Sequence, residues 1–420
     1  MNKVIAILLT ATFMSSFAVA KTHPSSSSSV PGISGLDWGA TATTGPYTAA
    51  PGLSNVEVDQ PNGTTPTTNN SPSSSDLETL QYHHHTRVAV DGMGRIWVAY
   101  SGDQTTEGSS GMVTEVKTST DGTTWSSPLL VVAPASTFDG NQNGGRRISY
   151  PRAFVTYNGQ LYLVAAIDQP NSSGCCTNEQ GEALVAAAMN TNGTIGATFQ
   201  VSAATYTPIS TFPSYTYDST LGPPIYQLGN LFGTWGGSAP GQPASAWTGY
   251  GTGADGTVMV EPSTAQLSAN PNVLFRLWRD EGTTQQLHLY QSVSLDYGAT
   301  WSPAFPTDIP NYPSETTFIK LANSHIAVVG NSQYQSGATD ARDPLYLAIF
   351  DGSTGLMKNI YSVSGTLTTP TYNNGVTCTP GGRPCGAAYP GAYEYNGTLY
   401  ISYSTYKQNI WLATVPSTNL

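Results

Sequence analysis

The chain predicts an all-β fold, a β-propeller of seven blades with six as the alternative. Three observations carry this. A turn of the form Ser294-x-Asp296-x-Gly298-x-Thr300-Trp301 follows the alternating stretch Leu287–Ser294, and a shortened copy, Ser119-Thr120-Asp121-Gly122-Thr123-Thr124-Trp125, follows another. The Ser and Asp side chains of such a turn bond its backbone, Gly takes the positive φ angle, and Trp packs inward beneath it. Second, from about residue 76 onward short alternating runs end in turn signals, with little helical periodicity anywhere. Third, only 10% of residues are charged while Gly, Ser, Thr, Asn and Tyr dominate, the palette of turn-rich β proteins.

The elements follow in chain order. Residues 1–20 carry one early Lys, the apolar run Val4–Leu9 and the small residues Ala18-Val19-Ala20 before Lys21, which is the pattern of a secretory signal peptide. Residues 21–75 contain the Ser25–Ser29 run and the Ser/Thr/Pro/Asn-rich stretch Asn62–Ser75, and are expected to form a loosely attached arm. Residues 76–420 are expected to be a single propeller domain. Its clearest strands are Arg95–Ser101, Gln160–Ile167, Ala183–Met189, Val273–Trp278, Leu287–Ser294, Ile326–Gly330, Leu345–Phe350 and Thr398–Ser404. A repeated phrase, an Asn-Gly turn followed by apolar and aromatic alternation, recurs at Asn158–Leu163 and Asn396–Ile401. The roughly 345 residues after the arm divide into about seven blades of about 49 residues, or six longer ones. Trp125 and Trp301 are expected under equivalent hairpins of two different blades.

The net charge of −11 argues against nucleic acid and anionic membranes as partners, and no stretch after residue 20 offers 18 uninterrupted apolar residues. The expected product is an exported, monomeric protein. Its four cysteines suit an oxidising compartment: Cys378 and Cys385 bracket a short loop and are expected to bridge, leaving Cys175-Cys176 as an adjacent pair, although all three connectivities stay open.

Half of the six histidines fall in Gln81-Tyr82-His83-His84-His85-Thr86-Arg87, at the entry of a strand. Strand alternation sends His84 to one face and His83 with His85 to the other, so they share one site only if a bulge intervenes. Three roles compete: a metal site, which lacks a spaced third ligand; a structural role at the funnel rim; and general acid–base catalysis near neutral pH, which His84 or His85 would carry. Arginines form the second constellation. Arg146, Arg147 and Arg152 surround Tyr150-Pro151, Arg276 and Arg279 flank Leu277-Trp278, and Arg342 opens Asp343-Pro344-Leu345. A guanidinium is the natural bidentate partner of a substrate carboxylate, so Arg147, Arg152, Arg279, Arg342 and Tyr150 are candidate substrate-binding residues. Of Arg276 and Arg279, three apart on one strand, only one is expected to reach the funnel. A carboxylate pair drawn from Asp103, Asp168, Glu179, Glu182, Asp280 and Glu281 is a further possibility that no spacing singles out.

The two turns resemble the Asp-boxes of the sialidase superfamily, six-bladed propellers, except that His84 stands where the Arg of the first-blade Arg-Ile-Pro pattern would lie. A fuller resemblance is to the seven-bladed enzymes that remove terminal rhamnose from glucuronic acid in arabinogalactan and gum arabic, described as α-L-rhamnosidases and as L-rhamnose-α-1,4-D-glucuronate lyases. It rests on His84-His85, Ser119–Trp125, Asn192–Gly196 leading to Phe199, Ser294–Trp301, Arg342–Leu345 with Leu347-Ala348, and Tyr389-Pro390 followed by Glu394–Gly397. The resemblance implies a catalytic His at His84 or His85, with Arg147, Arg152 or Arg279 holding the uronate. It implies β-elimination next to a uronic acid of an acidic polysaccharide, with no cofactor and no metal. Hydrolysis on the same fold and a non-catalytic carbohydrate-binding propeller are the alternatives.

Overall fold

The computed structural model describes residues 35–39, 47–63, 72–104, 112–133, 148–168, 182–201, 215–233, 251–252, 257–267, 270, 272–280, 288–312, 314–332, 342, 344–364 and 386–420. Among these, an N-terminal strand β1 (Ser54–Asp59) and a one-turn helix α1 (Ser74–Leu77) precede the first sheet. That sheet contains β2 (Tyr82–Val90), β3 (Ile96–Asp103), β4 (Val113–Ser119) and β5 (Leu129–Val132). The second holds β6 (Ile148–Tyr157), β7 (Gln160–Asp168), β8 (Glu182–Met189) and β9 (Phe199–Gln200), and is followed by helix α2 (Gly222–Phe232). The third adds a two-residue inner edge, β10 (Gly251–Thr252), to β11 (Val258–Ala265), β12 (Leu274–Asp280), β13 (His288–Ser294) and β14 (Phe305–Pro310). The fourth is β15 (Thr317–Lys320), β16 (Ile326–Asn331), β17 (Leu345–Phe350) and β18 (Met357–Ser362). In the fifth, β19 (Ala387–Tyr395), β20 (Thr398–Thr405) and β21 (Asn409–Pro416) are completed by β1, antiparallel to β21. The ring therefore closes by hydrogen bonds between the two ends of the chain.

Among the described residues this is an all-β propeller of five blades, which corrects the expectation of seven and its alternative of six. Dividing length by a regular blade size fails because the first long inner strands begin at Tyr82, Ile148, Val258, Thr317 and Ala387, which are 66, 110, 59 and 70 residues apart, all above about 49 and irregular. Long connections consume the difference, and one carries α2, which the sequence reading missed. The helix opens on Pro223-Pro224, and its Gly229 packs so close to β7 that a Cβ there would meet Val164 Cγ1 at 2.8 Å. It lies against both β6 and β11, between the second and third blades.

Central strands are apolar on both faces because each blade is sandwiched by its neighbours. β17, Leu-Tyr-Leu-Ala-Ile-Phe, is buried at every position. One face joins Val328, Tyr346, Ala348 and Phe350 to the third blade, and the other joins Leu345, Leu347 and Ile349 to the fifth. Two pieces of the segment expected as an arm are seated in this framework. β1 is a blade strand, and Trp38, almost fully buried, packs edge-on against Tyr346 with ring centroids 5.3 Å apart. Nothing local marks Trp38 for the core; its partners lie some 300 residues downstream.

Strand direction sorts the connections. In a four-stranded meander the turns after the first and third strands share one end, and all other connections share the opposite end. Both Ser-x-Asp turns follow third strands, β4 and the equivalent β13, so they are equivalent, as expected. Ser119 Oγ accepts from Gly122 N–H at 2.8 Å and Ser294 Oγ from Gly298 N–H at 2.7 Å, with both glycines at positive φ. Trp125 and Trp301 are half-buried beneath them. The opposite end, where the long connections lie, is where the inner strands β2, β6, β11 and β19 begin.

Candidate active site

Each of these four inner strands carries a β-bulge near its start: between His84 and Arg87, Pro151 and Ala153, Val260 and Ser263, and Ala388 and Gly391. The residues displaced by the bulges include His85, Arg152, Glu261 and Tyr389. Three of them adopt left-handed backbone, His85 at φ 54°, Glu261 at 49° and Tyr389 at 55°, a conformation that is costly for residues with a Cβ. A bulge re-aims a side chain that a regular strand would send elsewhere. Here it gathers residues of different blades at one place.

The hub is Tyr389. Its Oη donates to Glu261 Oε1 at 2.6 Å and accepts from Arg279 Nη1 at 2.9 Å, while Arg279 Nη1 also meets Glu261 Oε2 at 2.7 Å. Arg342 lies with Cζ 5.3 Å from the Tyr389 ring centroid. The imidazoles of His84 and His85 lie 4.2 and 5.0 Å from the same ring and 4.7 Å from each other, and Tyr150 lies 5.7 Å from His85. Thr86 Oγ1 donates to the Tyr389 carbonyl at 2.8 Å and accepts from Ser402 Oγ at 3.0 Å, which anchors the strained residue. Glu261, Tyr389, Arg342 and both imidazoles are buried, and Arg279 is partly so.

The bulge resolves the histidine alternation: His84 and His85 share the site, and His83 turns away. His83 Nδ1 faces Asp59 Oδ2 at 3.0 Å and the Gln408 carbonyl at 3.1 Å, and Asp59 also pairs with Lys117. Burial pushes the His83 imidazole below its usual value, against the pull of Asp59. Arg279 reaches the hub while Arg276 points the other way, stacking 4.0 Å over Trp301, and burial lowers its guanidinium to about 9. Arg152 is buried at the second bulge, and its carbonyl accepts from Arg87 Nε at 2.8 Å. Arg147 and all four cysteines lie outside the described residues. Among the described residues no cluster of three or more His, Cys, Asp or Glu side chains is placed to hold a metal ion, and no helix is long and apolar enough to cross a membrane.

The sequence reading missed Glu261 and the buried pair Arg87–Glu315. Arg87 Nη2 donates to Glu315 Oε2 at 3.0 Å and Nη1 lies 2.9 Å from Oε1, tying the first blade to the entry of the fourth. Burial lowers the Arg87 guanidinium, and the charges of Glu315 and Glu261 oppose that shift. Glu261 had a legible signal. Glu261-Pro262 and Tyr389-Pro390 each interrupt a strand with a proline, which marks a bulge.

A phenol that gives its proton to a carboxylate while accepting an N–H from a guanidinium is an activated oxygen nucleophile. The carboxylate takes the proton and the guanidinium stabilises the phenolate.

A family model described as a BNR repeat-like domain matches residues 94–360. A search of curated protein sequences finds no match. Among solved structures, a sialidase superposes with a TM-score of 0.62 at 18% identity, covering 89% of this chain and 34% of that one. The Trypanosoma rangeli sialidase in complex with the inhibitor DANA gives 0.51 at 13% identity, with 87% and 60% covered. The NanB sialidase from Streptococcus pneumoniae gives 0.50 at 10%, with 86% and 70% covered. The chain thus spans about a third of the first structure's length and three fifths of the second's. These likenesses are ones of fold, a sialidase-type β-propeller.

Proposed function

The chain belongs to the BNR repeat-like domain family, and from that premise we propose that it is a secreted carbohydrate-active enzyme, a glycoside hydrolase acting on an acidic polysaccharide or oligosaccharide. The observation that carries this is the Tyr389–Glu261–Arg279 triangle, since a tyrosine nucleophile is one established departure from the two-carboxylate glycosidase scheme. Tyr389 Oη attacks the anomeric carbon and passes its proton to Glu261, and the bond to the leaving oxygen breaks. His84 or His85, whose rings flank Tyr389, protonates that oxygen. The same histidine, neutral after that transfer, takes a proton from the water whose oxygen cleaves the tyrosyl–sugar bond, and Tyr389 recovers its own proton from Glu261. Arg279 and Arg342, both at the Tyr389 ring, supply positive charge for a substrate carboxylate, and Arg152 and Tyr150 on β6 are further candidates to bind the sugar. The protein works as an exported monomer without a cofactor.

The two imidazoles against one ring also favour a second reading, β-elimination at a uronate such as the rhamnose–glucuronate linkage, with a histidine removing the C5 proton and an arginine neutralising the carboxylate. One experiment separates the two. The full chain is incubated with gum arabic and with aryl glycosides of sialic and glucuronic acids in labelled water. Hydrolysis releases sugar carrying the heavy oxygen. Elimination gives a 4,5-unsaturated product absorbing in the near ultraviolet and takes up no label. If neither appears and the glycans bind unchanged, the protein is a binding propeller and both catalytic readings fail.

A further inference from the structure

The hydrogen-bond pattern around the two buried imidazoles defines their tautomers. Ser101 Oγ donates to the His84 carbonyl at 3.1 Å; that bond uses the hydroxyl's only proton, because a carbonyl oxygen can only accept. The 2.7 Å contact between Ser101 Oγ and His85 Nδ1 must therefore run the other way, from Nδ1–H to the serine oxygen. Ser404 repeats the arrangement: Oγ donates to the Ala388 carbonyl at 3.4 Å, so the short contact with His84 Nδ1, 2.5 Å, is also donated by the ring.

The repetition has a structural cause. Ser101 stands opposite His84 in the β2–β3 register, and Ser404 stands opposite Ala388 in the β19–β20 register. Each serine thus faces the last paired residue before a bulge, where the ladder is interrupted, and its hydroxyl serves the carbonyl there. The two positions are equivalent in the first and fifth blades. One serine holds the bulge residue of its own blade, His85, and the other holds His84 of the neighbouring blade.

We propose that Ser101 and Ser404 are positioning residues that fix His85 and His84 as Nδ1–H tautomers, so that Nε2 of each ring is the atom that accepts and returns a proton in the reaction. This goes beyond the tyrosine chemistry and does not depend on it, because the tautomers are set by two backbone carbonyls. Among the described residues, rings packed on His85 include His84, Tyr150 and Tyr389, and rings packed on His84 include Tyr82, His85 and Tyr389.

The test reads the rings directly. The chain has six histidines, few enough for ring-nitrogen NMR of protein labelled with nitrogen-15 in histidine. Single His→Gln variants supply the assignments. At a pH where the rings are neutral, His84 and His85 should each show a protonated Nδ1 and a bare Nε2. In Ser101→Ala the His85 ring alone should lose that pattern, and in Ser404→Ala the His84 ring alone; Ser101→Thr, which keeps the hydroxyl, should restore it. Where turnover is measured, each alanine variant should lose roughly three- to tenfold in kcat, the effect of one ordinary hydrogen bond. Wild-type rings protonated at Nε2 would overturn the proposal with no variant needed, as would alanine variants whose tautomers do not change. Correct tautomers in a protein without activity would leave this inference standing and remove only the proposed function.

Discussion

Tyr389 Oη donates a 2.6 Å hydrogen bond to Glu261 Oε1, joining the bulge residues of the fifth and third blades. The two residues are 128 positions apart in sequence. Neither would point there from a regular strand.

If that pair is the nucleophile and its base, Tyr389→Phe should abolish turnover, and Glu261→Gln should cost at least the roughly 10²-fold expected of a lost proton acceptor. Both variants keep the ring or carboxamide volume, so thermal melts should stay near wild type. An activated fluoro-sugar should leave its glycosyl group on Tyr389 in the wild type, detectable by peptide mass spectrometry. Full activity in Tyr389→Phe would rule the mechanism out.

Replacing His84 or His85 by Ala should lower turnover of unactivated substrates by about 10²–10⁴-fold. Under hydrolysis the loss should shrink for aryl glycosides, whose leaving oxygen needs no proton. Under elimination it should not, because removal of the C5 proton precedes departure. Comparing kcat/KM for the two substrate types in each variant distinguishes the mechanisms, and wild-type rates in both variants would clear the histidines of any catalytic role.

The second and third strands of the blades were legible because alternating or continuous apolar runs bounded by turns survive wherever a strand is sandwiched; Gln160–Ile167 and Leu345–Phe350 match β7 and β17 within a residue. Blade number was not legible, since long connections have no period to count. The candidate site was half legible. The histidine run and Arg279 advertise themselves by composition, whereas the placement of Glu261 and of His84 together with His85 depends on bulges that pattern reasoning treats as exceptions. Trp38 was invisible because its burial is decided wholly by residues of distant blades.

Trp38→Ala should destabilise the protein by about 3–5 kcal/mol, the usual result of removing a buried indole. Trp38 packs against Tyr346 and Phe350, between the third and fourth blades and away from Tyr389. The thermal midpoint should fall while kcat at low temperature stays unchanged. An unaltered melting curve would mean that the N-terminal segment does not hold the propeller together.

The last prediction concerns Glu115, buried on β4 near Asp59 and Lys117 at the seam where β1 closes the ring. Among the described residues neither of its carboxyl oxygens meets a hydrogen-bond partner. Burial, reinforced by the charge of Asp59 and opposed by Lys117, pushes this carboxyl well above its ordinary value. The folded chain therefore keeps the proton over a pH range in which the unfolded chain gives it up. Stability linked to Glu115 is intact below the unfolded carboxyl's titration near pH 4.5, and falls as pH rises toward the folded group's own titration, by up to about 1.4 kcal/mol per pH unit. Glu115→Gln keeps the shape and removes the titration. It should match wild type in denaturant unfolding at pH 4 and exceed it increasingly from pH 5 to 8. Equal stability of the two proteins across that range would show that Glu115 ionises in the fold at its ordinary value, and that the seam holds a buried charge after all.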